Sequence, residues 1–296
     1  MDLHDGYARP PAATPARLSR RALFGLKRGA TARADVDFAA AGARRRAGWA
    51  RVDEAYLRML EPVAAALVTI AEVRAGDRVL DVGAGDGNVA AACHERGARV
   101  DACEPVAELA ARGRARAPDA TWVTAGAEAL LYADASFDVV LSAFGAAEAP
   151  HAIRAAAELV RVLKPGGRIA LAAWSPRGLP GRLEVELPPP PGVCAPSSWA
   201  DQDVARRRLG PAIDDLECRT RTVTLRAASA DSLFAALTGP YGLGADEAAA
   251  LRPRFDRMLA AQNNTPGAID VSARYVVHAG RRLPAGDQLG SEVREW

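Results

Sequence analysis

The chain has 296 residues, 49% of them hydrophobic, and a net charge of only +2. Such a chain can bury one large α/β core with additions; global disorder is excluded, and the charge gives no general argument for nucleic acid. Apolar runs fall short of the roughly 18 residues that a membrane-spanning helix needs. Cys93, Cys103, Cys194 and Cys218 are too scattered for a CxxC pair or a zinc ligand set, so the sequence fits a reducing cytoplasm and no bound metal.

Residues 1–51 carry 11 Lys and Arg against 4 Asp and Glu. Within them, residues 1–35, rich in Pro, Ala and Arg, read as a flexible basic leader that could also grip an anionic or peptide partner. "SRRALFGLKRG" (19–29) imitates a twin-arginine export signal, but Lys27, Arg28, Arg33, Asp35 and Asp37 stand where that signal needs an apolar stretch. Apolar residues at three- and four-residue steps, from Tyr56 and Leu57 to Leu67 and Ile70, then predict helix within 36–75, divided or kinked at Pro62.

From residue 76 strands and helices alternate. "RVLDV" (78–82), "ARVDAC" (98–103), "TWVT" (121–124), "FDVVLSAF" (137–144) and "GRIALAAW" (167–174) read as strands. Helices are predicted at 87–96, 105–116 and 150–163, and "KPGG" (164–167) turns the last of them into the next strand. This alternation predicts a doubly wound, Rossmann-like parallel sheet covered on both faces. The rhythm breaks in the proline-rich stretch 175–199. It reads either as a stiff linker or as a loop over the carboxyl ends of the strands, where open α/β sheets bind ligands; its position straight after a core strand favours the loop. We take 175–215 as a loop or lid insertion. "RTVTLRA" (221–227) and "VSARYVVHAG" (271–280) read as further strands, with helices near 231–238 and 246–262, and 284–296 as a loose tail.

The chemistry concentrates in "VLDVGAGDGNVA" (79–90). A dinucleotide loop would need Gly-x-Gly-x-x-Gly, but after Gly83 and Gly85 the third position is Asn88 and the extra glycine is Gly87. No Gly-Lys-Ser/Thr of a phosphate loop follows either. Asp81 and Asp86 flank the turn, so they would repel a pyrophosphate and attract a cation. A ligand with a carboxylate for the helix amino end and an amine for Asp81 fits better, and the methionine end of S-adenosylmethionine is one. Glu104, 21 residues after Gly83 and followed by Pro105, stands where an acid can accept hydrogen bonds from both ribose hydroxyls. "AGAEAL" (125–130) falls where adenine would rest, and "SAFGAAEAPH" (142–151) would face the sulfonium and the methyl acceptor.

Taken together, "VLDVGAGDG", "CEP", "AEALLYADASFDVVLSAFG" and "AAAELVRVLKPGGRIALAAW" resemble the class I S-adenosylmethionine-dependent methyltransferases, in the branch around ubiquinone/menaquinone biosynthesis and natural-product enzymes. The resemblance is strong over 76–175 and continues weakly to about 283. It implies a seven-stranded sheet whose last strand, 271–280, is antiparallel and lies beside 168–174, with an amino-terminal helical cap over the site. It also implies a cofactor site of Asp81, Gly83, Ala84, Gly85, Gly87, Asn88, Glu104, Pro105, Gly126, Ala127, Glu128, Ser142, Ala143 and Phe144. Gly126 departs from the pattern: the family often has an Asp there for the adenine amine, so adenine falls to the main chain of Gly126 and Ala127, to Glu128, or to water.

The leading expectation is methyl transfer to a small molecule in the biosynthesis of a specialised metabolite, with S-adenosylhomocysteine as product and no nucleic-acid or membrane partner. His151 is the first candidate for a general base and Glu148 the second; Trp49, Tyr56 and Trp199 are candidate substrate walls. Two alternatives stay open: methylation of a peptide held by the basic arm, and cofactor binding without methyl transfer.

Overall fold

The computed structural model describes residues 36–263 and 268–284; the expected basic leader (1–35) and nearly all of the expected tail lie outside the described residues. Three helices come first: α1 (Phe38–Trp49), α2 (Glu54–Arg58) and α3 (Glu61–Ile70). Pro62 sits in the first turn of α3, where its missing N–H is harmless, so it opens a helix rather than kinking one.

The alternating core follows as β1 (Arg78–Val82), α4 (Asn88–His94), β2 (Arg99–Cys103), α5 (Ala107–Arg116), β3 (Thr121–Val123), β4 (Phe137–Ala143), α6 (Ala152–Val162) and β5 (Leu163–Trp174). Then come α7 (Leu179–Glu186), α8 (Gln202–Leu209), β6 (Ile213–Ala227), α9 (Ala230–Thr238), α10 (Ala245–Ala260) and β7 (Ile269–Arg282). The seven strands form one sheet in the order β3-β2-β1-β4-β5-β7-β6. β7 runs antiparallel to both neighbours, pairing Arg168 with Arg281 through Trp174 with Tyr275. This is the expected seven-stranded, mostly parallel Rossmann-like sheet with the late strand inserted beside β5.

Strand residues alternate between two cores, as buried parallel strands must. One face carries Val79, Val139, Leu141, Ala170, Ala172 and Trp174 and is covered by α3, α4, α9 and α10. The other carries Leu80, Val82, Val140, Ile169 and Leu171 and is covered by α6 and α8.

Three elements differ from the sequence reading. β6 begins at Ile213, not 221, because as an edge strand it exposes both faces over most of its first half and shows no alternation. The proline-rich stretch contains α7 and a 3-10 turn at Pro196–Ala200, since Pro180 sits harmlessly in the first turn of α7. β5 starts directly at Leu163, so "KPGG" is an irregularity in its pairing with β4 rather than a separate turn. Among the described residues no helix is long and apolar enough to cross a membrane.

Candidate functional site

The carboxyl ends of β1, β2 and β4 open into a cavity of about 290 Å³, roofed by α1 and α2. Its floor is the turn after β1. Gly83 and Ala84 donate their N–H groups to the Cys103 carbonyl at 2.8 and 3.0 Å, which hangs the turn on the end of β2. Gly83 has φ +66°, and a Cβ on it would lie 2.6 Å from the Cα of Gly145, so no side chain fits where these two loops touch. Gly85, at φ +58°, would place a Cβ with nothing within 4 Å. One glycine is needed for close approach, the other for its left-handed turn.

Asp81, the penultimate residue of β1, is 1% exposed. Its Oδ2 accepts from Ala90 N at 3.1 Å and so caps α4 from below, while Oδ1 is buried with no hydrogen-bond partner among the described residues. Burial, reinforced by the nearby charges of Glu104 and Asp86, pushes its carboxyl up to about 8. Sequence reasoning assigned Asp81 wholly to a ligand; the structure gives one oxygen to the helix and leaves the other buried and unpaired in a residue that lines the cavity. Asp86 also lines the cavity, but Arg116 lies 3.2 Å from it and balances its charge, so the cation-attracting character rests on Asp81. Asn88 joins floor to roof: its amide donates to Leu57 O at 2.8 Å and accepts from Arg116 at 2.8 Å.

Glu104 directly follows β2 and is buried, with Oε2 accepting from Gly85 N and Oε1 from Val106 N, both at 2.8 Å. Each oxygen keeps a further lone pair. Burial raises this carboxyl to about 6 against the pull of the two N–H groups. Pro105, Gly126, Ala127 and Glu128 continue the lining, and Glu128 accepts from His151 N at 2.7 Å. On the other side Ala143, Phe144 and Gly145 line the exit of β4. Phe144 has φ +70°, a conformation that costs a non-glycine residue on the order of 1–3 kcal/mol, and its ring is held by stacking on Trp174 with centroids 4.2 Å apart.

Of the residues expected in the cofactor site, Asp81, Gly83, Ala84, Gly85, Asn88, Glu104, Pro105, Gly126, Ala127, Glu128, Ala143 and Phe144 line this one cavity. Gly87 and Ser142 do not. Gly87, at φ +88°, starts α4 and packs on Gly113 and Trp122. The Ser142 hydroxyl donates to Val82 O at 2.6 Å and accepts from Ala146 N at 2.8 Å, tying β1 to the loop after β4.

The substrate-side expectations fare less evenly. Trp49 lines the cavity, and its indole N–H has no partner among the described residues. Tyr56 lies behind the wall, 4% exposed in the main core, while its neighbours Leu57 and Leu60 form the lining. Trp199 belongs to the second core on the opposite face of the sheet, with Arg208 over its ring at 4.8 Å and its carbonyl 2.7 Å from His278 Nε2. It cannot wall the cavity from there. His151 is likewise outside the lining: its Nδ1 accepts from Arg154 N at 3.3 Å as the cap of α6, and its ring rests 4.5 Å from that of Phe38. Glu148, the second candidate base, does line the cavity.

Sequence reasoning missed Arg45, which enters from α1 and meets Glu148 at 3.3 Å. A run of three arginines at 44–46 in an alanine-rich helix was the available signal, but which one turns inward depends on packing. Gly42 lets α1 settle on the loop after β4, with Pro150 Cγ 3.4 Å from where its Cβ would be. Among the described residues no group of three His, Cys, Asp or Glu side chains is arranged to hold a metal ion.

Comparison with known proteins agrees with this geometry. Residues 80–171 match the family model described as a methyltransferase domain. An uncharacterized protein of Mycobacterium tuberculosis is 36% identical over 188 residues, covering 60% of this chain and 69% of that protein. A demethylmenaquinone methyltransferase of Beutenbergia cavernae is 38% identical over 102 residues, 34% of this chain and 42% of the relative. Among solved structures, the YcgJ protein of Bacillus subtilis superposes with a TM-score of 0.53 at 21% identity, over 75% of this chain and 99% of that one. The cyclase SpnF does so at 0.50 and 16%, over 76% and 82%. These last two are likenesses of fold. With the glycine turn, the acid after β2 and the antiparallel seventh strand in one architecture, the chain belongs to the class I S-adenosylmethionine-dependent methyltransferases.

Proposed function

We propose that this chain transfers a methyl group from S-adenosylmethionine to a small-molecule acceptor in the biosynthesis of a specialised metabolite. The observation that carries the reading is Asp81 Oδ1, a buried carboxylate oxygen without a partner beside a glycine turn. An unpaired buried acceptor is destabilising by about 1–3 kcal/mol, and a cationic amine relieves that penalty. The residues present fit the cofactor: Asp81 for the amine, the open backbone at Gly85 for the amino-acid end, Glu104 for the ribose hydroxyls, and Gly126, Ala127 and Glu128 for the adenine. When bound, the cofactor supplies an electrophilic methyl on a good leaving group. The protein's work is therefore to position the acceptor and to exclude water. Phe144 and Gly145 border the acceptor side; Trp49, Leu57 and Leu60 cover it with apolar surface.

The roof of α1 and α2 supports a small acceptor rather than an extended peptide, and the cavity volume of about 290 Å³ falls just under the ~300–1,000 Å³ of small-ligand sites. Calorimetry with S-adenosylhomocysteine and with NAD tests the cofactor, and mass spectrometry of candidate acceptors tests transfer. Tight NAD binding without heat from S-adenosylhomocysteine overturns the reading. A bound cofactor with no acceptor gaining a methyl group reduces it to binding without transfer.

A further inference from the structure

Behind the roof, five chain segments bring together a buried charged cluster. Arg45 comes from α1, Tyr56 from α2, Glu148 from the 3-10 turn Gly145–Glu148, Glu184 from α7, and Tyr241 from the 3-10 turn Gly239–Tyr241. The Arg45 guanidinium lies 4.4 Å from the centre of the Tyr241 ring. Its Nη1 is 3.3 Å from Glu148 Oε2, yet neither atom has an aligned hydrogen-bond partner among the described residues. Glu184 is 4% exposed and its Oε2 accepts from Ser197 N at 2.6 Å. The Tyr56 hydroxyl, in a residue 4% exposed, makes no hydrogen bond among the described residues and is within electrostatic reach of both carboxylates.

This is a poor structural device. A buried ion pair contributes little net stability even when its geometry is good, and this one leaves a donor and an acceptor unmatched. Burial, then the charge of Glu148, raises the Glu184 carboxyl to about 7 against the hydrogen bonds from Ser197 and the charge of Arg45, so the cluster holds an exchangeable proton near neutral pH.

The pair is informative because Arg45 and Glu148 both line the cavity. A guanidinium beside a carboxylate on one wall complements a group that both donates and accepts. A hydroxyl does so: it gives its proton to Glu148 and receives from Arg45. An ammonium would be repelled by Arg45, and a carboxylate by Glu148. The neighbouring Trp49 and Phe144 supply flat aromatic walls.

We propose that Arg45 and Glu148 form the acceptor subsite for an aromatic hydroxyl, with Glu148 as the base. The proposal rests on the methyl-transfer reading above. The acceptor O–H bond breaks and its proton passes to Glu148. An oxygen lone pair forms the new O–CH3 bond, and the electrons of the broken S–CH3 bond return to sulfur as the thioether of S-adenosylhomocysteine. Arg45 holds the phenolate as it forms.

The test uses the full chain with S-adenosylhomocysteine and 4-nitrophenol, whose phenolate is coloured, with benzylamine as a cationic competitor. Bound probe ionises at least one pH unit, or about tenfold, below free probe in the wild type. Arg45→Gln abolishes that shift and Arg45→Lys restores part of it, whereas Glu148→Gln, which removes a negative charge beside the forming phenolate, moves the ionisation of bound probe to still lower pH. Calorimetric binding of S-adenosylhomocysteine shows that each variant is folded. The subsite is overturned if the probe binds Glu148→Gln as it binds the wild type, if bound probe stays neutral, or if benzylamine displaces it. Failure of the wild type to bind S-adenosylhomocysteine would instead overturn the cofactor reading beneath it.

Discussion

Asp81 gives the proposed cofactor site a measurable proton signature. Its carboxyl titrates near 8, so at pH 7 the cofactor-free protein holds it about nine-tenths neutral. A cationic amine at Oδ1 favours the ionised form, so binding should expel close to one proton. Affinity for S-adenosylhomocysteine should then rise by up to about tenfold per pH unit between pH 6 and 8, as each unit removes ~1.4 kcal/mol of deprotonation work. The groups that set this titration are the Ala90 N–H, which opposes it, and the Glu104 and Asp86 charges, which add to it. Glu104, near 6, contributes a second and lower step.

The perturbation is Asp81→Asn, which keeps the shape and removes the charge. At pH 8 the variant should lose about 10- to 100-fold in affinity, from the ~1.5–3 kcal/mol of a charge-assisted hydrogen bond. At pH 6 the loss should shrink, because the wild-type carboxyl is then already neutral. Calorimetry in buffers of different ionisation enthalpy counts the released proton directly. If the wild type binds with no proton release between pH 6.5 and 7.5, or Asp81→Asn keeps the wild-type pH slope, the amine does not sit on Asp81.

Three further outcomes are expected. Glu104→Ala should weaken S-adenosylhomocysteine binding about tenfold or more by calorimetry, and should also lower the Tm, because Gly85 N and Val106 N lose their acceptor. Glu184, with a folded-state titration near 7, should make stability fall as pH rises from about 4.5 to 7, since the unfolded chain releases a proton that the folded one retains. The span is roughly 3 kcal/mol, and urea denaturation of Glu184→Gln across that range should lack the slope. Hydrogen exchange with S-adenosylhomocysteine should protect 40–60 and 145–150 while leaving 196–210 unchanged; the reverse pattern would move the cavity to the other face of the sheet.

The floor of the site was legible because it is local. Asp81, Gly83 and Gly85 belong to one strand–turn–helix unit, and Glu104 directly follows the neighbouring strand, so spacing alone brings them together. The alternation foretold the parallel sheet, whereas the antiparallel strand beside β5 came from the family resemblance. The far wall was not legible in this way. Arg45 and Glu148 are separated by a long stretch of chain and meet only after α1 has packed, so no spacing rule links them. Trp199 shows the same limit: a loop leaving β5 can return along either face, and only Leu209, Leu216 and Ser142 around it reveal which. His151 was attractive for its chemistry, but a residue at a helix start is also a cap, and here the cap claims its Nδ1.

These two halves of the cavity have different physical tolerances, and that difference bears on specificity. On the floor, Gly83 and Gly145 touch backbone to backbone, and Asp81 and Glu104 take N–H groups from the chain itself. Substitution there disturbs the turn before it disturbs any ligand. On the roof, α1 rests on the loop after β4 through Gly42 and Pro150, and on the 3-10 turn Gly239–Tyr241 through Gly48, whose Cβ would fall 2.4 Å from Pro240 O. Those contacts fix where α1 lies but leave Arg45, Trp49, Leu57 and Leu60 free to differ in chemistry without moving the backbone. Acceptor choice is therefore concentrated in side chains outside the alternating core, while the cofactor half is held by the main chain. Exchanging Trp49 for a smaller apolar residue should change which acceptors bind with little effect on S-adenosylhomocysteine, whereas no side chain can be added at Gly83 without parting the loops after β1 and β4.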